Sequence, residues 1–171
     1  IVGPQWHIIN LYDLGCTVEI PETANSLVGN ALQKAYYVVD HYHIDCFADD
    51  TGLEIDALDA RPGVYSARYA GEHCSFEDNV RKVLEEMQGI TNRKACFKTV
   101  IALIMNGHEY HFEGRVDGII TTEPHGGEGF GYDPIFLPDG YSQTFAEMPA
   151  DLKNTISHRG RAMKQLMEFL Q

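Results

Sequence analysis

Apolar residues recur at spacings of three and four after Ser26, which predicts an amphipathic helix with Ser26 as its N-cap. A second segment with this spacing follows Ser75, where Asp78 stands three residues after the cap, as in a capping box. A third amphipathic segment closes the sequence at residues 162–170. These segments predict helices that each pack one apolar face against a core.

Other segments have the apolar pattern of strands. Residues 94–105 alternate and then become wholly apolar, residues 108–122 are rich in β-forming residues, and Asn106-Gly107 joins the two as a hairpin turn. The apolar run at residues 44–48 predicts a buried strand that stops at two carboxylates. Residues 6–11 predict a short strand. Early alternation of strands and helices with a central hairpin predicts an α/β fold with a mixed sheet rather than a purely parallel one.

Composition limits the possible functions. The 171 residues suffice for one domain with a substantial core, which we take to span residues 1–171. A formal net charge of -12 argues against a protein that grips a nucleic-acid backbone. The four cysteines form no Cys-x-x-Cys pair and are expected to be reduced and mostly buried. No signal peptide or membrane-length apolar run is visible, so a cytoplasmic protein is expected.

Two adjacent carboxylates, Asp49 and Asp50, precede Thr51 and Gly52. At the end of a strand, such a pair is suited to hold a divalent metal and to activate water. The same residue types also form ordinary polar turns, so both interpretations stay open at this point. Adjacent strand residues point to opposite faces, so at most one of the two carboxylates is the primary metal ligand.

A glycine-rich segment lies at residues 125–136, with four glycines between positions 126 and 131 that would let backbone amides approach a ligand. Phe130 and Tyr132 could stack on a base, although a flexible hairpin loop explains the composition equally well. The spacing matches neither the Rossmann nor the Walker pattern. Further along, basic residues precede or open the last helix, which suits either an anion site or a solvated basic face.

In order and spacing, four segments resemble the family of inosine/xanthosine triphosphate pyrophosphatases, the Ham1-like non-canonical purine NTP pyrophosphatases. They are residues 48–53, 62–71, 129–136 and 153–162. The resemblance implies an elongated mixed β-sheet with flanking helices, two lobes around a central nucleotide cleft, and a homodimer. It also implies hydrolysis of ITP, dITP or XTP to the monophosphate and pyrophosphate, with Mg²⁺ as cofactor.

The resemblance further implies roles for individual residues. Asp50 corresponds to the metal-binding general base, Glu22 to a second metal ligand, and Thr51 to a substrate-contacting position. The wall that recognises the base corresponds to Phe130, Gly131, Tyr132 and Asp133. The residues that hold the base edge and the phosphates correspond to Lys153, His158 and Arg159. His158 and Arg159 can donate to a 6-oxo group, and Arg159 cannot accept from an amine, which suits a 6-oxopurine.

The family also begins with a strand that leads into a polar loop of the form Ser/Thr-x-Asn-x-x-Lys, which this sequence does not contain. We expect the complete polypeptide to carry a leader segment with that loop before Ile1. Two alternatives stay open. One is a Maf-like pyrophosphatase acting on other nucleotides, against which residues 157–159 argue. The other is a catalytically inactive nucleotide-binding protein of the same fold.

Overall fold

One sheet organises the residues that the computed structural model describes, which are 3–127 and 129–171. Its strands are β1 (Cys46–Ile55), β2 (Arg61–Pro62), β3 (Lys94–Met105), β4 (His108–Ile120) and β5 (Phe136–Pro138). They lie in the order β2-β1-β3-β4-β5, and each of the four neighbouring pairs is antiparallel. The expected α/β fold with flanking helices is therefore confirmed, with antiparallel pairing throughout the described strands.

Helices cover both faces of this sheet. They are α1 (Leu27–Tyr42), α2 (Phe76–Glu86), α3 (Ala150–Ile156) and α4 (His158–Phe169). Helix α1 packs on β1 and β3, and α4 packs on β3 and β4. A side chain at Gly114 on β4 would collide with the backbone of His158, so the glycine allows the start of α4 to approach the sheet closely. None of the described helices is long and apolar enough to cross a membrane.

The local signals at the helix starts and at the hairpin are confirmed. Ser26 caps α1 by accepting from the Gly29 amide, and Ser75 forms a capping box with Asp78 at the start of α2. Strands β3 and β4 pair along their whole length on either side of Asn106-Gly107. All four cysteines are free thiols. In these places short-range stereochemistry and the tertiary fold favour the same conformation.

The prediction that a strand stops before Asp49 is wrong. Strand β1 continues to Ile55, and every one of its residues pairs with β3. Because β3 is a long run of strand-forming residues, it offers a partner beyond the two carboxylates, and this pairing outweighs the local preference for a turn. The hydroxyls of Thr51 and Thr99 lie 2.7 Å apart across the pair. The Asp-Asp-Thr-Gly segment is therefore strand, not turn.

The strand predicted at residues 6–11 is also absent from the described residues, where the chain is irregular. This segment has no strand partner there, and Trp6 instead donates its indole N–H to the carbonyl of Leu170 at 2.8 Å. Alternation of apolar residues without a pairing edge does not produce a strand.

The core has two parts. The larger lies between the sheet, α2 and the segment 132–148, and includes the fully buried Leu53, Phe136 and Phe145. The smaller lies between β3, β4 and α4, around Ile101 and Leu166. Both clusters pack on the face of the sheet to which Leu53 and Ile101 point, and they hold the start of α4 firmly against it. This face carries one half of the candidate site.

Candidate active site

Asp50 points to the face of β1 that α1 covers. The buried Asn30 donates its amide to Asp50 Oδ2 at 3.0 Å, and the Thr51 amide donates to Asp50 Oδ1 at 3.0 Å. Lys34, one turn after Asn30, has its ammonium group 3.9 Å from Asp50 Oδ1 and forms an ion pair with Glu22. Two predicted metal ligands, Asp50 and Glu22, thus face the same cation.

Burial raises the pKa of Asp50 above its ordinary value. The hydrogen bond from Asn30 and the charge of Lys34 act in the opposite direction, while the negative charge of Glu22 raises the pKa further. A carboxylate with a raised pKa accepts a proton more readily, and this is the property that a general base requires.

The donor set suits Mg²⁺. No group of three or more His, Cys, Asp and Glu side chains close enough to hold a metal occurs within residues 3–127 and 129–171. Mg²⁺ usually takes one or two carboxylates and completes its coordination with water and substrate phosphates. Glu22 and Asp50 already converge on one positive charge, the Lys34 ammonium, so they fit this requirement.

A cavity of about 220 Å³ lies on the opposite face of β1. Eight of the predicted site residues line it: Thr51, Phe130, Gly131, Tyr132, Asp133, Lys153, His158 and Arg159. They come from β1, the glycine-rich segment and the α3–α4 junction, so the fold assembles three segments that are distant in sequence. The remaining two predicted site residues, Glu22 and Asp50, belong to the cluster on the α1 face.

Asp133 is the most buried charge of the cavity, with 3% of the residue exposed. It forms an ion pair with Lys153 and accepts the Phe130 amide at 2.6 Å. Gly129 has φ +113, and a side chain there would press against Asp133. Asp133 therefore fixes both the glycine-rich segment and the Lys153 ammonium beside the cavity.

His158 stacks on Phe97, with ring centroids 4.6 Å apart and an angle of 13° between the planes. Its Nδ1 is buried and has no hydrogen-bond partner among the described residues. Burial, assisted by the positive charges of Arg159 and Lys153, lowers the pKa of His158 to about 3. The imidazole is therefore neutral at physiological pH, with one nitrogen as donor and the other as acceptor.

This neutral histidine gives a testable pH dependence. In the unfolded chain His158 has its ordinary pKa of 6.5, so it binds a proton there before it does in the folded protein. Stability is therefore lost as pH falls below 6.5, by roughly 2 kcal/mol at pH 5 from this residue alone. His158→Phe keeps a stacked ring and is expected to lose about that much less stability between pH 7 and pH 5, measured by urea unfolding. Equal losses in the two proteins would contradict a neutral His158.

The alternation of β1 separates the two aspartates, as predicted. Asp49 points to the cavity face, where its Oδ2 accepts from Nε and Nη2 of Arg159 at 3.1 and 2.9 Å. Asp50 points to the α1 face. On the edge away from β3, β1 pairs with β2 only at Glu54 and Ile55, so within the described residues no strand covers this edge near Asp50.

Sequence reasoning missed Asn30, Lys34 and the partnership of Asp49 with Arg159. Asn30 and Lys34 lie on α1 at positions that continue the buried stripe of Leu27, Ala31 and Ala35. A polar pair four residues apart at the margin of an apolar stripe was the available signal. The Asp49 contact joins residues 110 positions apart, and no local pattern marks it.

Comparisons with known proteins identify the family of this chain. The Ham1 family model matches residues 2–169. The chain is 54% identical to the dITP/XTP pyrophosphatase of Porphyromonas gingivalis over 171 residues, covering 99% of this chain and 88% of that protein. It is 53% identical to the dITP/XTP pyrophosphatase of Flavobacterium johnsoniae over 163 residues, covering 95% and 85%.

Solved structures give the same result. The structure of the Staphylococcus aureus Ham1 protein superimposes with a TM-score of 0.92 at 38% identity, covering 98% of this chain and 88% of that one. A HAM1 protein from Coxiella burnetii superimposes with a TM-score of 0.86 at 40% identity, covering 90% and 80%. As its motifs indicated, this chain belongs to the Ham1 family.

Proposed function

We propose that this chain hydrolyses the non-canonical purine nucleoside triphosphates dITP, ITP and XTP to the monophosphate and pyrophosphate. One observation carries the proposal. Consecutive residues of β1 serve two different sites, since Asp50 belongs to the carboxylate cluster and Thr51 lines the cavity on the other face. A nucleotide that passes the uncovered edge of β1 would contact both, with its base in the cavity and its phosphates at Asp50.

The size of the cavity supports this division. Its volume of about 220 Å³ is below the ~300–1,000 Å³ of pockets that enclose whole small ligands. It therefore suits the base, while the triphosphate stays outside. The cluster of Glu22, Lys34 and Asp50 is the matching site for the phosphates and the attacking water.

In this arrangement Asp50 is the general base that takes the proton from a water aimed at the α-phosphorus. Asn30 holds the carboxylate through Oδ2, while Oδ1 accepts from the Thr51 amide and faces Lys34. Lys34 supplies positive charge beside the phosphates, which stabilises charge on the leaving pyrophosphate. Glu22 and Asp50 would hold Mg²⁺, which neutralises phosphate charge when it is bound.

Base selection follows from the donors in the cavity. Arg159 only donates, so it matches the 6-oxo group of hypoxanthine or xanthine, and neutral His158 can add a second donor from one of its ring nitrogens. The 6-amino group of adenine would meet the Arg159 donor instead of an acceptor, so Arg159 accounts for the discrimination. A mispaired buried polar group costs about 1–3 kcal/mol, equivalent to roughly 5- to 150-fold in affinity. A homodimer, a two-lobed cleft, a cytoplasmic location and the roles of the individual site residues stay predictions.

Pyrophosphate release from ITP, XTP, dTTP, UTP and ATP, each with Mg²⁺ and with EDTA, tests the proposal. We expect turnover of ITP and XTP that falls to background with EDTA, and at least about fivefold lower kcat/KM for ATP. Preferred turnover of dTTP or UTP would instead support a Maf-like pyrophosphatase. Binding of ITP without turnover of any triphosphate would support a catalytically inactive nucleotide-binding protein.

A further inference from the structure

Two exposed phenylalanines meet at the mouth of the cavity. Phe76, the first residue of α2, contacts Phe130 of the glycine-rich segment edge to face, with ring centroids 4.5 Å apart and an angle of 65° between the planes. The two residues are 44% and 65% exposed. Burial in the core therefore does not explain this pair, and its position is the main clue to its role.

The pair stands between two concave regions. Phe76 and Phe130 both line the cavity of about 220 Å³. Phe76 also lines a wider groove of about 810 Å³ between α2 and the glycine-rich segment. The aromatic contact thus forms part of the wall between the cavity proposed for the base and the open groove outside it.

Phe130 has a largely exposed side chain. Its amide is fixed by Asp133, but Gly129 and Gly131 on either side have φ +113 and +61, conformations that favour glycine. Among the described residues, Phe76 is its sole aromatic partner within contact distance. An edge-to-face contact between aromatic rings is favourable beyond the area that it buries. Phe76 is therefore the aromatic side chain that is placed to orient the Phe130 ring.

We propose that Phe76 is a substrate-positioning residue, which holds the Phe130 ring in the orientation that packs against a purine base. This inference rests on the proposed function, because it requires the base to enter the cavity. Ordering the ring before binding removes an entropic cost from substrate association. Both rings line the cavity proposed for the base and not the cluster of Glu22 and Asp50 proposed for the phosphates, so the expected contribution is to binding and not to the chemical step.

Steady-state kinetics with ITP and XTP test the role of Phe76. Phe76→Ala is expected to raise KM for both substrates by about threefold to tenfold, the range that an aromatic pair supplies, while kcat changes by less than about twofold. Phe76→Leu keeps apolar bulk without the ring and should raise KM similarly. Phe76→Tyr keeps the ring and should have the KM of the wild-type protein. Phe169→Ala, at an exposed ring that packs on Tyr110 away from the cavity, is the matched control with unchanged kinetics.

A double variant tests whether Phe76 acts through Phe130. We expect the double variant Phe76→Ala/Phe130→Ala to have the same KM as Phe130→Ala alone. A KM increase equal to the product of the two single increases would overturn the positioning role. Unchanged KM in Phe76→Ala and Phe76→Leu, or a loss confined to kcat, would also overturn it while the proposed function stands. If the wild-type protein releases pyrophosphate from no triphosphate, both the proposed function and this inference are wrong.

Discussion

Asp50→Asn is expected to lower kcat for ITP by about 10²- to 10⁴-fold, the usual contribution of a general base. The amide keeps the shape of the side chain and can still accept from Asn30, but it cannot take a proton from water. Pyrophosphate release under saturating ITP and Mg²⁺ measures the effect. Turnover within about tenfold of wild type would show that another group activates the water.

The same substitution is expected to leave the metal-free protein as stable as before or more stable. The ordinary carboxyl pKa of 3.8 applies to the unfolded chain, and burial raises the folded value. The folded protein therefore binds more protons between the two pKa values, and its stability falls as pH rises through that window. At pH 7 ionised Asp50 lowers the free energy of unfolding, and Asp50→Asn removes this penalty. If Asp50→Asn lost stability together with activity, the lower kcat would not support Asp50 as the general base.

Glu54→Gln provides the matched control. Glu54 lies on the same strand and the same face as Asp50, and its carboxylate pairs with Lys98 at 2.9 Å. The substitution also replaces a carboxylate by an amide, but away from the cluster of Glu22 and Lys34. We expect unchanged kcat and KM. A comparable loss of kcat in Glu54→Gln would mean that the general charge of this face, and not Asp50 itself, supports turnover.

Much of the local structure could be predicted from sequence because its causes are local. The cap of Ser26, the capping box at Ser75 and the Asn106-Gly107 hairpin each depend on residues a few positions apart. The true end of β1 could not be predicted in this way. The residues after Ala48 have a turn-forming sequence, but they pair as a strand with residues of β3 that are about 50 positions away. Long-range pairing decides such cases, and no window of sequence contains it.

The candidate site shows the same difference between features with local causes and features with long-range causes. Alternation along β1 correctly separated Asp49 from Asp50, since the period of a strand is a local property. That Lys34 lies against Glu22 and near Asp50 depends on how α1 packs across the sheet. Resemblance to a family supplied the cavity residues as a set, and the fold does bring eight of them together. It did not supply Phe76, whose relevance comes from its contact with Phe130.

Lys153→Met is expected to lower the free energy of unfolding by about 3–5 kcal/mol, because it leaves Asp133 as a buried carboxylate without its cation. Asp133 has 4% of its side chain exposed in the intact pair, so the Lys153 ammonium, and not bulk water, neutralises this carboxylate. This loss is a large share of the ~5–15 kcal/mol by which domains are stable. Urea unfolding at pH 7 measures it. A loss below about 1 kcal/mol would mean that Asp133 remains solvated in the folded protein.

Two companion variants show whether the effect comes from the unpaired buried charge. Arg115→Met breaks the exposed pair of Arg115 with Asp117, where both side chains are about half exposed, and should cost less than about 1 kcal/mol. The double variant Asp133→Asn/Lys153→Met removes both charges, and its amide oxygen can still accept from Phe130. We expect it to recover most of the stability lost in Lys153→Met. If it is no more stable than Lys153→Met, packing of the lysine stem, and not the charge of Asp133, accounts for the loss.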